Sequence, residues 1–400
     1  MTTPSARRRP SLSVPLRERE TVRPLELFFD LVFVLGVTQC TALMSAQPTW
    51  SGIGRGMLVL AMLWWAWVCF TWLTSAVEPE EGWVRLVMLG AMTALLVAAL
   101  CVPESFGDRA LTFAVAYGVV RAGHIGLFLL ATRDSPTRRL VLRIAASTAL
   151  AVPLLIGAAF LDGPAQVALW VVAILLDWGL PAIFGDQEWR LAPAHFAERH
   201  NLVIIIALGE SIVALGAGAQ ADLTWKVIVA AALGLWLAAA LWWTYFDVVA
   251  LVTERRLALA PEGHARNRLA RESYAYLHFP MVAGIVLGAF GLHEILAHPD
   301  EPLDSVHSFA LLGGTAIYLL AHVALRLRNA HTINIERLVL AVALFAVIPA
   351  AVHVDALVTI GALNLLLWAM IAYETFFVYD ERRDRLRHGL EVDVPGAEPG

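Results

Sequence analysis

The chain has 400 residues, of which 59% are hydrophobic and 16% charged, against about a quarter charged in an ordinary soluble domain. So little polarity cannot cover one water-soluble core, so the composition excludes a single soluble globule and points to many membrane spans. The net charge of −5 matters less than where the positive residues sit.

In chain order, residues 1–24 form a basic tail holding Pro4, Pro10, Pro15 and Pro24. It has no apolar run and no small-residue cleavage site, so it does not read as a removable signal. A hydrocarbon core of about 30 Å needs about 20 apolar helical residues. Twelve such segments follow, near 25–45, 56–77, 83–102, 110–132, 139–160, 165–184, 201–219, 225–250, 273–296, 307–327, 336–353 and 356–378. The first six make one half, 25–184; the rest fall in a second half, 185–378, before a closing cytoplasmic tail, 379–400. Cys40, Cys69 and Cys101 all lie inside apolar segments and form no CxxC, so they read as small core residues.

Arginine sets the direction. With the N-terminus in the cytoplasm, 25 positive residues fall on inner segments and three, Arg55, Arg109 and Lys226, on outer ones. That positive-inside bias places both termini in the cytoplasm.

The sequence also repeats itself. Asp30-Leu-Val-Phe-Val-Leu-Gly36 matches Glu210-Ser-Ile-Val-Ala-Leu-Gly216, and Leu63-Trp64-Trp65 matches Leu241-Trp242-Trp243. Arg139-Leu-Val-Leu142 matches Arg337-Leu-Val-Leu340, and Leu169-Trp170 matches Leu367-Trp368. Four matches in one order imply a duplicated six-span unit, with both copies oriented alike about an axis along the membrane normal. The expected fold is an all-α polytopic membrane protein of about twelve transmembrane helices, built as two parallel six-helix repeats.

A charge at the bilayer centre costs about 3 kcal/mol on insertion scales and commonly faces the protein interior. Asp30, Asp177, Glu210, Asp247 and Glu374 lie within or near the inner ends of spans, with Arg121 as the one deep arginine of this reading. Glu26 and Asp30 are four apart and share a helical face; Arg199 and Glu210, eleven apart, share another. A cavity open to the cytoplasm and lined by carboxylates would reconcile these positions. Glu26, Asp30, Arg121, Asp177 and Glu210 are therefore the candidate substrate- or ion-binding residues. Phe29, Trp64, Trp65, Trp242 and Trp243 are candidate cavity-lining residues. The segment PAHFAERHNL, read as an inner loop before the seventh span, offers His195, Glu198, Arg199 and His200 as gating or proton-relay residues, since histidine titrates near neutral pH.

The outer segment HEILAHPDEPLDSVH, from His293 to His307, is polar but is not HExxH, because His298 follows Glu294 by four. No metal site is assigned there, and a polar loop is expected. No P-loop, GxGxxG or GxSxG occurs, so no cofactor is called for, and nothing suggests nucleic-acid binding.

RPLELFFDLVFVLGVTQ at 23–39 and HFAERHNLVIIIALGESIVALG at 195–216 closely resemble the two signatures of the bacterial low temperature requirement protein A family. The resemblance covers nearly the whole hydrophobic chain. It implies a polytopic bacterial membrane protein, named for a growth phenotype in the cold, and points to Glu26, Phe29, Asp30, His195, Glu198, Arg199, His200, Gly209, Glu210 and Ser211. No settled reaction follows from it. Phe28-Phe29-Asp30 is also similar to the aromatic-and-acid motif of endolysosomal potassium and proton channels; the second half has Leu208-Gly209-Glu210, without the phenylalanine.

Three functions compete. The leading expectation is a transporter or channel for a small solute or ion in the bacterial plasma membrane, with proton coupling an option. The alternatives are a membrane-embedded enzyme acting on a lipid or isoprenoid carrier, with His195, Glu198 and His200 as acid and base, and a cold-responsive scaffold or sensor. The expected partners are the lipid bilayer and a small solute or ion; oligomeric state is not legible.

Overall fold

The computed structural model describes residues 21–80, 82–133, 137–184, 191–218 and 223–378. The tails that carry Arg7 to Arg19 and Arg382 to Arg387, together with Arg190, lie outside the described residues. Helix dominates, and no strand occurs among the described residues; an isolated bridge pairs Pro302 with Asp355. The helices are α1 Pro24–Ala46, α2 Trp50–Ala76, α3 Val84–Cys101, α4 Ala110–Ala131, α5 Arg138–Ala158, α6 Gly163–Phe184, α7 Pro193–Gly218, α8 Trp225–Phe246, α9 Val249–Leu259 and α10 His264–Leu269. They continue with α11 His278–Ala297, α12 Ser305–Ser308, α13 Gly314–Ala330, α14 Ile335–Ala351 and α15 Ala356–Tyr373. Widened π-helical turns over Ala270–Tyr276 and Phe309–Gly313 lead into α11 and α13.

Among the described residues, ten helices are long and apolar enough to cross a membrane. The expected spans near 165–184 and 336–353 are also helical, as α6 and the 17-residue α14. One expectation needs correction. The segment from His195 to His200 is not a loop before a span but the opening turns of α7, which begins at Pro193. Proline suits a first helical turn, where its missing N–H has no partner to lose.

The chain forms two compact units. The first comprises Met1–Gln39, Leu58–Arg199 and Pro261–Arg268; the second comprises Cys40–Met57, His200–Ala260 and Leu269–Gly400. In the first, α3 packs on α4, α4 on α5 and α5 on α6. Gly163 makes the tight entry to α6 at φ +61°, a left-handed conformation that glycine adopts without strain. The start of α1, the end of α2 and the start of α7 share one end of this unit. There Arg23 pairs with Glu78, the Leu25 N–H donates to Glu80, and the Val22 N–H donates to Glu198.

In the second unit α11 packs on α13, α13 on α14 and α8 on both α11 and α15. Helix ends meet in two sets. At one end the Ala356 and Leu357 N–H groups donate to the Glu301 and Pro299 carbonyls, and Lys226 pairs with Asp300. At the other, Arg328 pairs with Glu272 and Ser273 Oγ donates to Asn329 Oδ1. Successive long helices here therefore run in alternating directions, as up-and-down spans do.

The α11–α13 contact is a backbone contact. A Cβ on Gly284 would lie 2.5 Å from the Gly314 carbonyl oxygen and 2.9 Å from the Tyr318 nitrogen, and one on Gly314 would lie 2.8 Å from the Gly284 oxygen. Small residues at such crossings let helices in lipid approach closely. Gly284→Val is expected to force the helices apart at a cost of about 1–3 kcal/mol. Thermal unfolding in detergent should show a clear drop for Gly284→Val and little change for Gly288→Ala, where no neighbour stands within 4 Å of the added carbon. Equal melting of the two variants would contradict this crossing.

Candidate functional site

The site builds from the first turn of α1. Arg23 caps the helix: its carbonyl accepts from the Glu26 and Leu27 N–H groups, and Pro24 follows as the first helical residue. Glu26 reaches back, and Oε2 accepts from the Arg23 N–H at 2.8 Å. This is the acidic half of a capping box. The Arg23 side chain forks onto Glu78, Nε to Oε1 and Nη2 to Oε2, each at 3.0 Å. That carboxylate raises the Arg23 pKa above its ordinary value, by hydrogen bonding and by charge.

The other oxygen of Glu26, Oε1, lies 2.8 Å from His195 Nε2, and His195 Nδ1 lies 3.1 Å from Ser75 Oγ. Ser75 Oγ donates to the Thr71 carbonyl at 2.9 Å, so the serine hydrogen is taken. The Nδ1 contact is therefore served by an N–H on the histidine. One turn further on, Arg199 Nη1 donates to Asp30 Oδ2 and Nη2 pairs with Oδ1, both at 2.9 Å. Trp67 Nε1 donates to Oδ1 at 2.7 Å, and the Arg199 guanidinium lies 5.4 Å from the Trp67 ring centroid. Asp30 and Arg199 are each 1% exposed. The pairs 26–195 and 30–199 both advance by four, so the first turns of α1 and α7 lie side by side and run in the same direction.

Phe29 is fully buried, with its ring 4.8 Å from Phe70. Trp64 stacks on Trp67 and Trp65 on Trp178. These aromatics are packed against one another. Glu198 is exposed, and its contact is with the Val22 backbone.

A second buried cluster in the same unit centres on Arg121 of α4. Its Nη2 donates to Asp177 Oδ1 of α6 and to Thr148 Oγ1 of α5, both at 2.8 Å. Thr148 donates in turn to Asp177 Oδ1 at 3.0 Å, and Tyr117 Oη donates to Oδ2 at 2.7 Å. Arg121 and Asp177 are both 0% exposed.

The second unit holds a third pair that the sequence reading missed. Arg337 of α14 forks onto Glu374, Nε to Oε1 at 2.9 Å and Nη2 to Oε2 at 2.8 Å. Asn334 Nδ2 adds a bond to Oε1, and Arg337 Nη1 donates to the Thr244 carbonyl. A small recess opens beside this pair, bounded by Trp243, Asp247 and Thr375. Glu210 is 2% exposed on α7, and His200, 0% exposed, lies edge-on to Tyr274 and His278. Trp242 is 46% exposed on α8, unlike its proposed counterpart Trp64 at 0%.

Two expectations change here. Arg121 is not the one deep arginine: Arg199 and Arg337 are also buried, each forked to an acid. Arg199 and His195 turn toward Asp30 and Glu26 of α1. No group of three or more possible metal ligands occurs among the described residues.

Many apolar helices with charges paired in their interior define a multi-pass helical membrane protein. A family model of the bacterial low temperature requirement A protein (LtrA) matches residues 21–372, and the chain belongs to that family. It is also similar to the uncharacterized protein RA0937 of Rhizobium meliloti (strain 1021), with 29% identity over 306 residues, 74% of each chain. No solved structure matches.

Proposed function

We propose that this protein carries a small solute or ion across the bacterial plasma membrane, with both termini cytoplasmic and a duplicated body of about twelve spans. One observation carries the reading: Glu26–His195 and Asp30–Arg199 form a double pair on adjacent helical turns, buried in apolar helices. Ionisable groups within spans are costly and mark ion or substrate paths more often than ornament. In this reading a cation or proton reaching Asp30 competes with Arg199 for the carboxylate, and displacement of the guanidinium links binding to movement of α7. Glu210, the counterpart of Asp30 in the repeat, plays the matching part in the second half. The positive-inside bias supports the orientation.

The test is flux in proteoliposomes under imposed proton, sodium and potassium gradients. Asp30→Asn and Glu210→Gln are expected to lower flux at least tenfold while the reconstituted protein still elutes as a folded species. Folded variants with wild-type flux would remove both carboxylates from the mechanism, and a wild type inert to every gradient would count against transport of these ions.

A further inference from the structure

Proton bookkeeping in the second unit points to a site that the ion pairs do not use. Tyr245 of α8 is fully buried, and its Oη lies 2.9 Å from Asn201 Oδ1 and 2.8 Å from His278 Nε2. His278, also fully buried, has its Nδ1 2.8 Å from the backbone carbonyl of Ser273, in the widened turn before α11. A carbonyl only accepts, so Nδ1 carries a hydrogen. In a neutral His278, Nε2 is then an acceptor, and so is Asn201 Oδ1. The phenol has one hydrogen to give, and two acceptors face it, the fully buried His278 Nε2 and Oδ1 of the half-buried Asn201. All three contacts become hydrogen bonds when His278 takes a second proton: Nε2–H donates to Tyr245 Oη, and Tyr245 donates to Asn201. When the phenol gives its hydrogen to Asn201, the fully buried Nε2 of a neutral His278 is left without one, which costs about 1–3 kcal/mol, so the geometry couples proton uptake to completion of the network.

A second histidine stands beside it. His322 of α13, 2% exposed, has its Nδ1 2.9 Å from the Tyr318 carbonyl, which fixes the same tautomer. Its Nε2 is buried and makes no hydrogen bond. The Tyr245 ring lies 5.7 Å from the His278 ring and 6.1 Å from the His322 ring. The other groups that face the cluster come from every helix packed on it. His200 of α7 and Tyr274 of the widened turn lie against the His278 ring, and Tyr318 of α13 lies against His322. Of the full charges, Glu254 of α9 acts on Tyr245 and Tyr274, and Arg337 of α14 acts on His322 and Tyr318. Widened turns of this kind recur at functional sites.

We infer that His278, Tyr245 and Asn201 form an internal proton-binding site, with the bare Nε2 of His322 as a second acceptor across the tyrosine. The proton comes from water and returns to it; no other bond is made or broken. The inference stands whether or not the chain carries flux, because its test reads protonation directly. In full-length protein labelled with 15N-histidine and held in lipid nanodiscs, one histidine should pass between pH 8 and pH 4 from a neutral ring with Nδ1–H to a ring with both nitrogens protonated. His278→Gln should remove that transition. Tyr245→Phe should keep it but lower the proton affinity about tenfold, since hydrogen bonding to the charged form favours it. The inference is overturned if His278 keeps a bare Nε2 over the whole range, as it would if the Asn201 amide were turned to donate to Tyr245. It is equally overturned if Tyr245→Phe leaves the transition where it was.

Discussion

Asp177→Asn is expected to destabilise the folded protein by about 3–5 kcal/mol, because it leaves Arg121 charged and buried with no counter-charge. Arg121 is 0% exposed, and its Nη2 shares its hydrogens between Asp177 and Thr148. A guanidinium cannot shed its proton to escape, and α4, α5 and α6 supply no second acid in contact with it among the described residues. The loss should exceed that of Tyr117→Phe, which removes one bond to the same carboxylate and is worth about 1.5–3 kcal/mol. Arg121→Met with Asp177→Leu should recover much of the loss, since replacing both members of a buried pair by apolar residues is often close to neutral. Thermal unfolding of the wild type, Arg121→Met, Asp177→Leu and the double variant in the same detergent, read as a double-mutant cycle, decides the matter. Additive single losses would show that the pair is not coupled.

Much of the helical frame was legible because apolar runs of span length leave few alternatives. Arg121 and Asp177 stood out for the same reason, each alone in an apolar segment. The partnership between them was not legible: spacing along the chain says which residues share a face of one helix, and nothing about which helices touch. The α7 start shows a different limit. The polarity of PAHFAERHNL reads as a loop, yet His195 and Arg199 are buried because α1 offers Glu26 and Asp30 at the same four-residue step. A hydropathy average counts such residues as exposed, whereas pairing makes them interior. Glu26 and Asp30 spaced like His195 and Arg199 were a usable signal for this match. Arg337 was hidden by its place at a helix start among inner-segment arginines, where the positive-inside pattern already accounted for it. Tyr245, His278 and His322 were hidden by the apolar sequence around them.

The fork between Arg199 and Asp30 predicts an order of losses that a simple charge pair would not. Arg199→Leu leaves a carboxylate at 1% exposure with the Trp67 N–H as its remaining partner, and should cost about 3–5 kcal/mol. Arg199→Lys keeps the charge but not the planar fork, and an ammonium can match one oxygen of Asp30 where the guanidinium matches two. It also gives up the face of the Trp67 ring, over which the guanidinium lies at 5.4 Å, a contact worth about 0.5–2 kcal/mol. Lysine should therefore recover only part of what leucine loses. Asp30→Asn with Arg199→Gln removes both charges and keeps polar groups of similar size in place, so it should melt nearer the wild type than Arg199→Leu does. If lysine melts with the wild type, charge alone holds the first turn of α7 to α1. If leucine does so as well, the pair contributes nothing to the fold, and its burial would have to be explained by work done while the protein moves.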